Sequence, residues 1–373
     1  MKWLFWGAAA FLTYIYAGYV GWLWLRVHMR RKPVLRVPQQ PHISIVMVVR
    51  NEEGVLERKL QNLLGMDYPP ELCQILVVSD GSTDRTEEIL REHSRDPRVR
   101  PIMKQIAAGK ACGLNDAVAL AGGEVIVFMD ARQEIELDAV RLLVENFADR
   151  EVGCVSGELM LGDRNVGEAG NGMGLYWRIE KKIREMEAAS GSVVGATGAL
   201  YAARRELVPS VPQGIILDDV FVPLEIARQG KRVIFDSRAR AWDTPNLGAD
   251  REFARKVRTL TGNYQLVQLA PWLLGSSNPL RFEFVSHKLL RLLVPFALAG
   301  ILVASISLQA PFYRTALILQ VLFYGLSLLG WLHVSRGPLA RISDAALTFV
   351  VLNTAAAVAF MNFVTGRKAV WIR

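Results

Sequence analysis

The sequence predicts an α/β domain built on a mostly parallel, doubly wound sheet and flanked at both ends by transmembrane helices. Between residues 42 and 260, apolar runs of strand length alternate with segments of helical periodicity, an order typical of parallel sheets with right-handed crossovers. The two ends are more apolar. Hydrophobic residues make up 51% of the chain, and the mean hydropathy is +0.21, too apolar for an ordinary soluble enzyme. The excess of apolar residues is therefore expected to lie in a membrane.

The first apolar run, residues 3–27, predicts a transmembrane helix. It is long enough to cross a bilayer core of about 30 Å and is rich in Trp and Tyr. A cleaved signal peptide is the alternative, but the run is long for one and only Lys2 is a basic residue before it. Basic residues follow the run instead. By the positive-inside rule, we expect an integral protein of a bacterial-type cytoplasmic membrane, with its central domain in the cytoplasm.

The formal net charge of +8 does not indicate nucleic acid binding. Much of the positive excess lies beside the apolar runs, as at residues 26–36, and this placement favours anionic lipid headgroups. The cysteines Cys73, Cys112 and Cys154 are odd in number and lack metal-ligand spacing. We interpret them as reduced core residues in a reducing compartment.

The first half of the central domain supplies three strands whose ends carry polar residues. The apolar runs Ile43–Val49, Gln74–Asp80 and Val125–Phe128 suit strands buried on both faces. Helices are predicted at residues 53–64, 111–121 and 139–147, and one after the second strand with Thr83 or Asp84 as its N-cap. Carboxyl ends of such strands open into the ligand crevice. Residues 50–52, Asp80 and Asp130 should therefore share one edge, unless the acids simply end strands in polar turns.

The second half is less regular. An amphipathic helix is predicted at residues 173–188, and its apolar stripe would pack on the domain or on lipid. Strands are predicted at residues 195–205 and 233–244. Asp218 and Asp219 precede a helical pattern, where acids can act as caps. Arg251, Arg255 and Arg258 share one face of a helix at residues 250–260, which is either a solvated basic face or a diphosphate-binding one.

Three further apolar runs of bilayer length lie at residues 292–308, 315–334 and 345–364. The predicted division is a transmembrane helix (1–28), a basic, Pro-containing linker (29–41), the central domain (42–260), an interfacial segment (261–291), a transmembrane region (292–366) and a basic tail (367–373). Three full crossings would place that tail outside, against the positive-inside rule. A re-entrant or broken run would resolve the conflict, but the sequence does not identify which run it is.

Four motifs resemble those of membrane-embedded, inverting family-2 glycosyltransferases with a GT-A fold, the group of cellulose, chitin, hyaluronan and poly-N-acetylglucosamine synthases. They are VVRNEEG (48–54), SDGSTD (79–84), GKACGLNDAV (109–118) and DAR (130–132). The resemblance extends over nearly the whole chain. It implies a Rossmann-like GT-A domain that binds a UDP-sugar, with accessory export subunits as further partners.

The same resemblance assigns roles to individual residues. Glu52 and Asp80 would contact the nucleoside, Lys110 would lie near the diphosphate, and Asp130 would bind Mg²⁺ or Mn²⁺ as the first acid of a DxD motif. Asp219 would be the catalytic base, with Asp218 on the acceptor side. The chemistry needs these residue types, because departure of a nucleoside diphosphate leaves about two negative charges for cations to stabilise. The attacking hydroxyl also needs a base.

Two departures from the family pattern affect these expectations. Arg132 replaces the second acid of DxD, so either the diphosphate and water complete a weaker metal site at Asp130, or Arg132 itself neutralises phosphate. The QxxRW motif becomes RKVRT (255–259), which retains Arg258 but has Arg255 for Gln and Thr for Trp. The Trp of processive synthases stacks on the acceptor sugar. Trp242 or Tyr264 would have to replace it, unless both are ordinary packed aromatics.

The expected function is transfer of a sugar from a UDP-sugar to a growing exopolysaccharide, with Arg132, Arg255 and Arg258 on the donor side and Trp242 on the acceptor side. One alternative is transfer of a single sugar to a lipid carrier. A second alternative is a non-catalytic membrane subunit that only binds nucleotide or a partner. A Rossmann dehydrogenase is disfavoured because the first strand-to-helix turn lacks G-x-G-x-x-G.

Overall fold

The computed structural model describes residues 1–163, 167–168, 173–243, 249–332 and 337–366. Within them, nine strands form a mixed sheet in the order β3-β2-β1-β4-β8-β6-β9-β5, with β7 paired to β6. Strand by strand, these are β1 (Ile43–Val49), β2 (Cys73–Asp80), β3 (Val99–Lys104), β4 (Val125–Phe128), β5 (Glu134–Ile135), β6 (Val152–Asp163), β7 (Gly167–Glu168), β8 (Tyr201–Arg204) and β9 (Arg232–Asp243).

The parallel half of the sheet places the carboxyl ends of its strands at one edge. Strand β1 pairs in parallel with both β2 and β4, so that Ile43 lies opposite Cys73 on one side and Val125 on the other. The three predicted strands are confirmed. Strand β3, which was not predicted, extends the parallel half beyond β2. The helices that connect these strands are α3 (Glu53–Leu64), α4 (Thr86–His93) and α5 (Lys110–Leu120).

Parallel pairing is continuous through the first four strands, whereas the other half of the sheet is mixed. Strand β8 runs antiparallel to both β4 and β6, whereas β6 and β9 are parallel. The strand predicted at residues 195–205 is confined to Tyr201–Arg204. Residues 195–200 instead form an irregular segment that reaches the start of a helix and the candidate site. The helices of this half are α6 (Ala139–Glu145), α7 (Met173–Ser190), α8 (Asp218–Arg228) and α9 (Ala249–Leu269).

Four helical segments of the described chain are long and apolar enough to cross a membrane. The first comprises α1 (Lys2–Thr13), a π-helical turn and α2 (Tyr19–Met29), and the second runs from α10 (Arg281–Glu283) through α11 (Val294–Ser307). The others are α12 (Pro311–Trp331) and α13 (Pro338–Val364). The second segment begins at residue 281, inside the stretch predicted to be interfacial. The predicted basic tail, 367–373, lies outside the described residues.

Two helices of the sheet domain pack against the membrane segments. The apolar stripe of α7 contacts the first segment, where Ile183 and Met186 cluster with Tyr19 and Leu23, and the Tyr19 hydroxyl donates to Glu187 Oε1 at 2.6 Å. Helix α9 packs against α13, with the ring of Tyr264 stacked on that of Phe363. Ile183 and Met186 of this stripe are therefore buried by protein, whereas Ile179 is 49% exposed.

Candidate functional site

The turns after β1 and β2 are linked by side chains. Asn51 has a left-handed backbone, with φ of 55°, and its Oδ1 accepts the Thr83 N–H at 2.8 Å. The Glu52 N–H donates to Thr86 Oγ1 at 2.9 Å. Helix α4 begins at Thr86, later than the predicted caps imply, with Arg85 at the capping position; Asp84 Oδ1 accepts the Thr86 N–H at 3.0 Å. The two turns therefore form one unit that fixes Glu52 at the edge of the sheet.

Asp80 organises the loop that precedes α5. It is 3% exposed, and its two carboxylate oxygens accept the N–H groups of Ala108 (2.7 Å) and Gly109 (2.9 Å). The same loop crosses over Gly81, which has φ of +65° and where a Cβ would lie 2.7 Å from Ala107 N. Asp80 is thus bound to the backbone that leads into Lys110, and its nucleoside contact stays a prediction.

Lys110 lies among the carboxylates of two different segments. Its Nζ donates to Asp130 Oδ1 at 3.0 Å and lies 3.2 Å from Asp218 Oδ1. Burial lowers the pKa of Lys110, but the charges of Asp130, Asp218 and Asp219 and the hydrogen bond to Asp130 outweigh it and raise this pKa above its ordinary value. The ammonium therefore stays protonated and joins β4 to the start of α8.

Asp219 is oriented by the irregular segment before β8. The Gly198 N–H donates to Asp219 Oδ2 at 3.0 Å, and the Ala196 N–H donates to the Asp219 carbonyl at 2.7 Å. A Cβ at Gly198 would lie 3.3 Å from Oδ2 of both Asp130 and Asp219, so the two carboxylates face one small space. Burial and then the Asp218 charge raise the pKa of Asp219 to about 6, against the opposing charge of Lys110.

Glu52 belongs to the same electrostatic group. Burial raises its pKa, the charge of Asp130 raises it further, and that of Arg132 lowers it. The carboxylate therefore lies close enough to Asp130 and Arg132 to sense both. The predicted donor-side residues Glu52, Lys110, Asp130 and Arg132 come together with Asp218 and Asp219 at the carboxyl edge of the sheet.

A buried acid that was not predicted, Asp243, binds the two arginines that depart from the family pattern. It is 2% exposed, and its Oδ2 accepts from Arg132 Nη2, from Arg255 Nη1 at 3.2 Å and from Gln133 Nε2 at 3.3 Å. One signal could have found it, because Asp243 ends a strand just as Asp80 does. The strand predicted at residues 233–244 contains Asp243, but no functional role was predicted for this residue.

Comparisons with known proteins assign the first part of this site to a family. Residues 44–210 match the family described as Glycosyl transferase family 2. The chain carries a family-2 glycosyltransferase domain. The matched residues include Asp80, Lys110 and Asp130, whereas Asp218, Asp219 and Asp243 follow them. The expected family resemblance is confirmed.

Two curated relatives match the glycosyltransferase domain. The poly-beta-1,6-N-acetyl-D-glucosamine synthase of Staphylococcus aureus (strain MSSA476) is 24% identical over 252 residues, which are 65% of this chain and 60% of that protein. The match thus spans about 60% of the synthase. The beta-monoglucosyldiacylglycerol synthase of Synechocystis sp. is 25% identical over 171 residues, or 45% of this chain and 36% of that protein.

A solved mannosyltransferase from Pyrobaculum calidifontis, in complex with GDP-Man and Mn²⁺, has the same fold. It superposes with a TM-score of 0.75 at 21% identity and covers 98% of this chain and 99% of its own. This similarity confirms the GT-A fold that was predicted for the glycosyltransferase domain.

The remaining predicted residues lie on β9 and α9. Arg258 is half-buried on α9, one turn beyond Arg255. Trp242, predicted on the acceptor side, is 9% exposed, and its indole N–H donates to Glu136 Oε1 at 3.1 Å. Tyr264 faces α13 through its stacked ring. Trp242 is thus buried, Tyr264 has Phe363 stacked on its ring, and the acceptor role of Trp242 stays a prediction.

The residues of the domain fit a divalent cation only weakly. Asp130 offers Oδ2, because its Oδ1 is bound by Lys110. Hard cations prefer six or more oxygen ligands, yet the described ranges contain no group of three side chains placed to hold a metal ion. A cation at this candidate site would therefore have Asp130 as its protein ligand and depend on diphosphate and water for the rest.

Proposed function

We propose that the protein is a membrane-bound inverting glycosyltransferase that transfers a sugar from a UDP-sugar to a growing exopolysaccharide at the cytoplasmic membrane face. The observation that carries this proposal is the cluster of Lys110, Asp130, Asp218 and Asp219, in which a permanent cation and a carboxylate of raised pKa face one space. Its family-2 domain and the synthase of Staphylococcus aureus support the reaction class.

Asp219 is the base in this proposal. An acceptor hydroxyl gives its proton to the Asp219 carboxylate while its oxygen attacks the anomeric carbon from the face opposite the diphosphate. The bond to the diphosphate oxygen breaks, and the electron pair leaves with UDP. A base works best when its pKa lies near the working pH, and a pKa of about 6 meets that condition better than an ordinary aspartate. The Gly198 N–H fixes Oδ2 and thereby orients the group.

Lys110 and Asp130 serve the donor in the same proposal. The Lys110 ammonium is held at the edge of the sheet and can stabilise negative charge on the leaving diphosphate. When bound, Mg²⁺ or Mn²⁺ would stabilise that charge as a Lewis acid, with Asp130 as its protein ligand. The mannosyltransferase solved with GDP-Man and Mn²⁺ supports a metal in general, and the weak fit supports a lower metal affinity.

The membrane location follows from the four apolar segments. The basic residues at 26–36 lie in the last turn of the first segment and directly after it, and this order supports a cytoplasmic position for the domain by the positive-inside rule. Packing of α7 and α9 on these segments brings the site close to the bilayer. An acceptor that is held in or on the membrane can therefore reach the cluster without leaving the membrane.

One specific observation favours a second candidate, the transfer of one sugar to a lipid carrier. Thr259 stands where processive relatives have Trp, and its hydroxyl donates to the Arg255 carbonyl at 3.1 Å. Tyr264, a possible substitute, is stacked on Phe363. Without a stacking ring, a growing chain loses about 0.5–1.5 kcal/mol of acceptor binding. The Synechocystis relative, named for a glycolipid product, is consistent with this candidate.

One experiment separates these proposals. Membranes containing the protein are incubated with a panel of radiolabelled UDP-sugars, with and without a chelator, and the products are sized. Long polymer supports the first proposal, and a single glycolipid band supports the second. Turnover by wild type that disappears in Asp219→Asn supports catalysis. If wild-type membranes turn over none of the donors, the result would support the alternative of a non-catalytic membrane subunit. Asp116→Asn, in an exposed pair with Lys104, is the matched control and should act like wild type.

A further inference from the structure

We propose that Asp243 is a positioning residue that holds Arg132 and Arg255 together as a receptor for the diphosphate of the donor. The proposal rests on the proposed function and names the part of the site that receives the leaving group. Arg132 and Arg255 are the two departures from the family pattern, and in the structure both bind one carboxylate oxygen.

The cluster is assembled from three different elements of the fold. Arg132 follows β4, Asp243 ends β9, and Arg255 lies in the second turn of α9. Arg132 and Asp243 are 111 positions apart in sequence. Oδ2 of Asp243 accepts all three of its described hydrogen bonds, while Oδ1 is buried with no partner among the described residues. Such an acid is costly to bury unless its charge is compensated.

The two arginine side chains of the cluster are partly exposed, whereas the aspartate between them is buried. The side chain of Asp243 is 2% exposed, whereas those of Arg132 and Arg255 are 30% and 32% exposed. A guanidinium carries five N–H donors in a planar fork that matches phosphate oxygens. The bond to Asp243 takes one of the five from Arg132, so donors are left to meet a phosphate.

The charges of the cluster leave it positive. Arg132 and Arg255 are compensated by Asp243, and Glu252 binds Arg255 Nη2 at 3.0 Å. Lys256 in turn lies 3.3 Å from Glu252. These five side chains therefore carry three positive and two negative charges, and the excess suits a diphosphate. Arg132 stands two positions after Asp130, whose carboxylate binds Lys110 at 3.0 Å, so this positive group adjoins the Lys110 cluster along the chain.

The arrangement replaces the second acid of the DxD motif with an arginine that is paired with an acid. At position 132 an acid would help to grip a metal ion, whereas here an arginine stands there and an acid from β9 pairs with it. Without Asp243, Arg132 and Arg255 would repel each other and lose their common orientation. Donor affinity would then fall, although each guanidinium would still be present.

The test measures UDP binding to the purified full-length protein by calorimetry, together with the KM for the UDP-sugar. Asp243→Asn should weaken UDP binding and raise the KM by about tenfold, the loss of one charge-assisted hydrogen-bond partner, with a smaller change in kcat. The matched control is Asp236→Asn on the same strand. Asp236 is 1% exposed and binds Arg238 and Asn146, so its loss should lower the unfolding temperature and leave UDP affinity unchanged.

Two further variants keep the test decisive if Asp243→Asn folds poorly. Arg255→Gln should weaken UDP binding by about fivefold. The effect is smaller than that of Asp243→Asn because Arg255 is half-buried, and a partly exposed ion pair contributes less. The charge swap Arg132→Asp with Asp243→Arg restores the pair with reversed sign and a second acid near Asp130. Its UDP binding should require Mn²⁺, whereas that of wild type should change less than threefold, or under about 0.7 kcal/mol, on chelation.

The outcomes distinguish this inference from the proposed function. A wild type that turns over a UDP-sugar, with Asp243→Asn or Arg255→Gln binding UDP as tightly as wild type, would overturn the inference alone. Equal losses in Asp243→Asn and Asp236→Asn would reduce Asp243 to a residue that only stabilises the fold. A wild type that neither binds UDP nor turns over any UDP-sugar would overturn both.

Discussion

Oδ2 of Asp130 and Oδ2 of Asp219 both lie 3.3 Å from the point where a Cβ of residue 198 would stand. Gly198 therefore keeps open the space between the acid on the donor side and the proposed base. Its N–H also donates to Asp219 Oδ2 at 3.0 Å. The residue thus contributes both a hydrogen bond and the absence of a side chain.

Substitution Gly198→Ala should reduce kcat because the added methyl group pushes at least one of the two carboxylates away. We expect a loss of about tenfold in kcat and about 1–2 kcal/mol in the free energy of unfolding, as for other overpacked sites. Initial rates and thermal unfolding measure both. Gly325→Ala is the control, since a Cβ there meets nothing within 4 Å. Unchanged kcat in Gly198→Ala would show that the two carboxylates need not be so close.

The pH dependence of kcat/KM should report the raised pKa of Asp219. A base acts only when ionised, so activity should rise about tenfold per unit of pH up to about 6, the pKa of Asp219, and level off above it. Initial rates between pH 4.5 and 8 measure the profile. An acidic limb centred near 4, the pKa of an ordinary aspartate, would contradict the environment described for this residue.

The same carboxylate should cost the protein stability at neutral pH. A free aspartate ionises near pH 4, whereas Asp219 in the folded protein has a pKa of about 6. The folded state therefore binds this proton more tightly, and the stability it contributes is complete below about pH 4 and is lost as the pH rises through 6. Asp219→Asn should unfold at a higher temperature than wild type at pH 7.5, and at a similar one at pH 4. A lower unfolding temperature at pH 7.5 would contradict this sign.

Removal of the cation from the cluster should have the opposite effect. Lys110→Met leaves Asp130, Asp218 and Asp219 without their shared partner, and the loss of one member of a buried ionic group costs about 3 kcal/mol. Transfer should also fall to background. Lys104→Met breaks an exposed pair with Asp116 and should cost less than about 1 kcal/mol. Thermal unfolding of the two variants, compared side by side at pH 7.5, gives the difference.

Sequence reasoning worked where strands are buried on both faces. In β1, β2 and β4 nearly every residue is buried, so their apolar runs stand out, and the acids after them were placed at one edge. Strand β3 was missed because it lies at the margin of the sheet, is only partly buried and contains Pro101. Hydrophobic patterns reveal strands that are buried, and a strand at the edge of the sheet has few buried residues.

The rest of the site depended on contacts that spacing does not encode. The bond between Asp243 and Arg132 joins positions 111 apart in sequence, which no spacing rule predicts, although the strand-end position of Asp243 was a usable signal. The second membrane segment begins before its apolar run because its first turns carry charges that are satisfied inside the protein. Glu283 binds Arg26, and His287 Nδ1 and Nε2 lie 2.7 and 2.8 Å from Glu187 and Glu180. A hydropathy profile counts those charges without their partners.

Helix α9 touches three parts of the molecule. Arg255 reaches Asp243, Gly262 packs on Leu217, the residue before Asp218, and Tyr264 stacks on Phe363. Extraction from the bilayer that loosens the last helix would therefore also disturb the residues beside the reaction centre. The choice of detergent or nanodisc is thus a variable of catalysis for this protein, and rates measured after solubilisation should be compared with rates in native membranes before any substitution is interpreted.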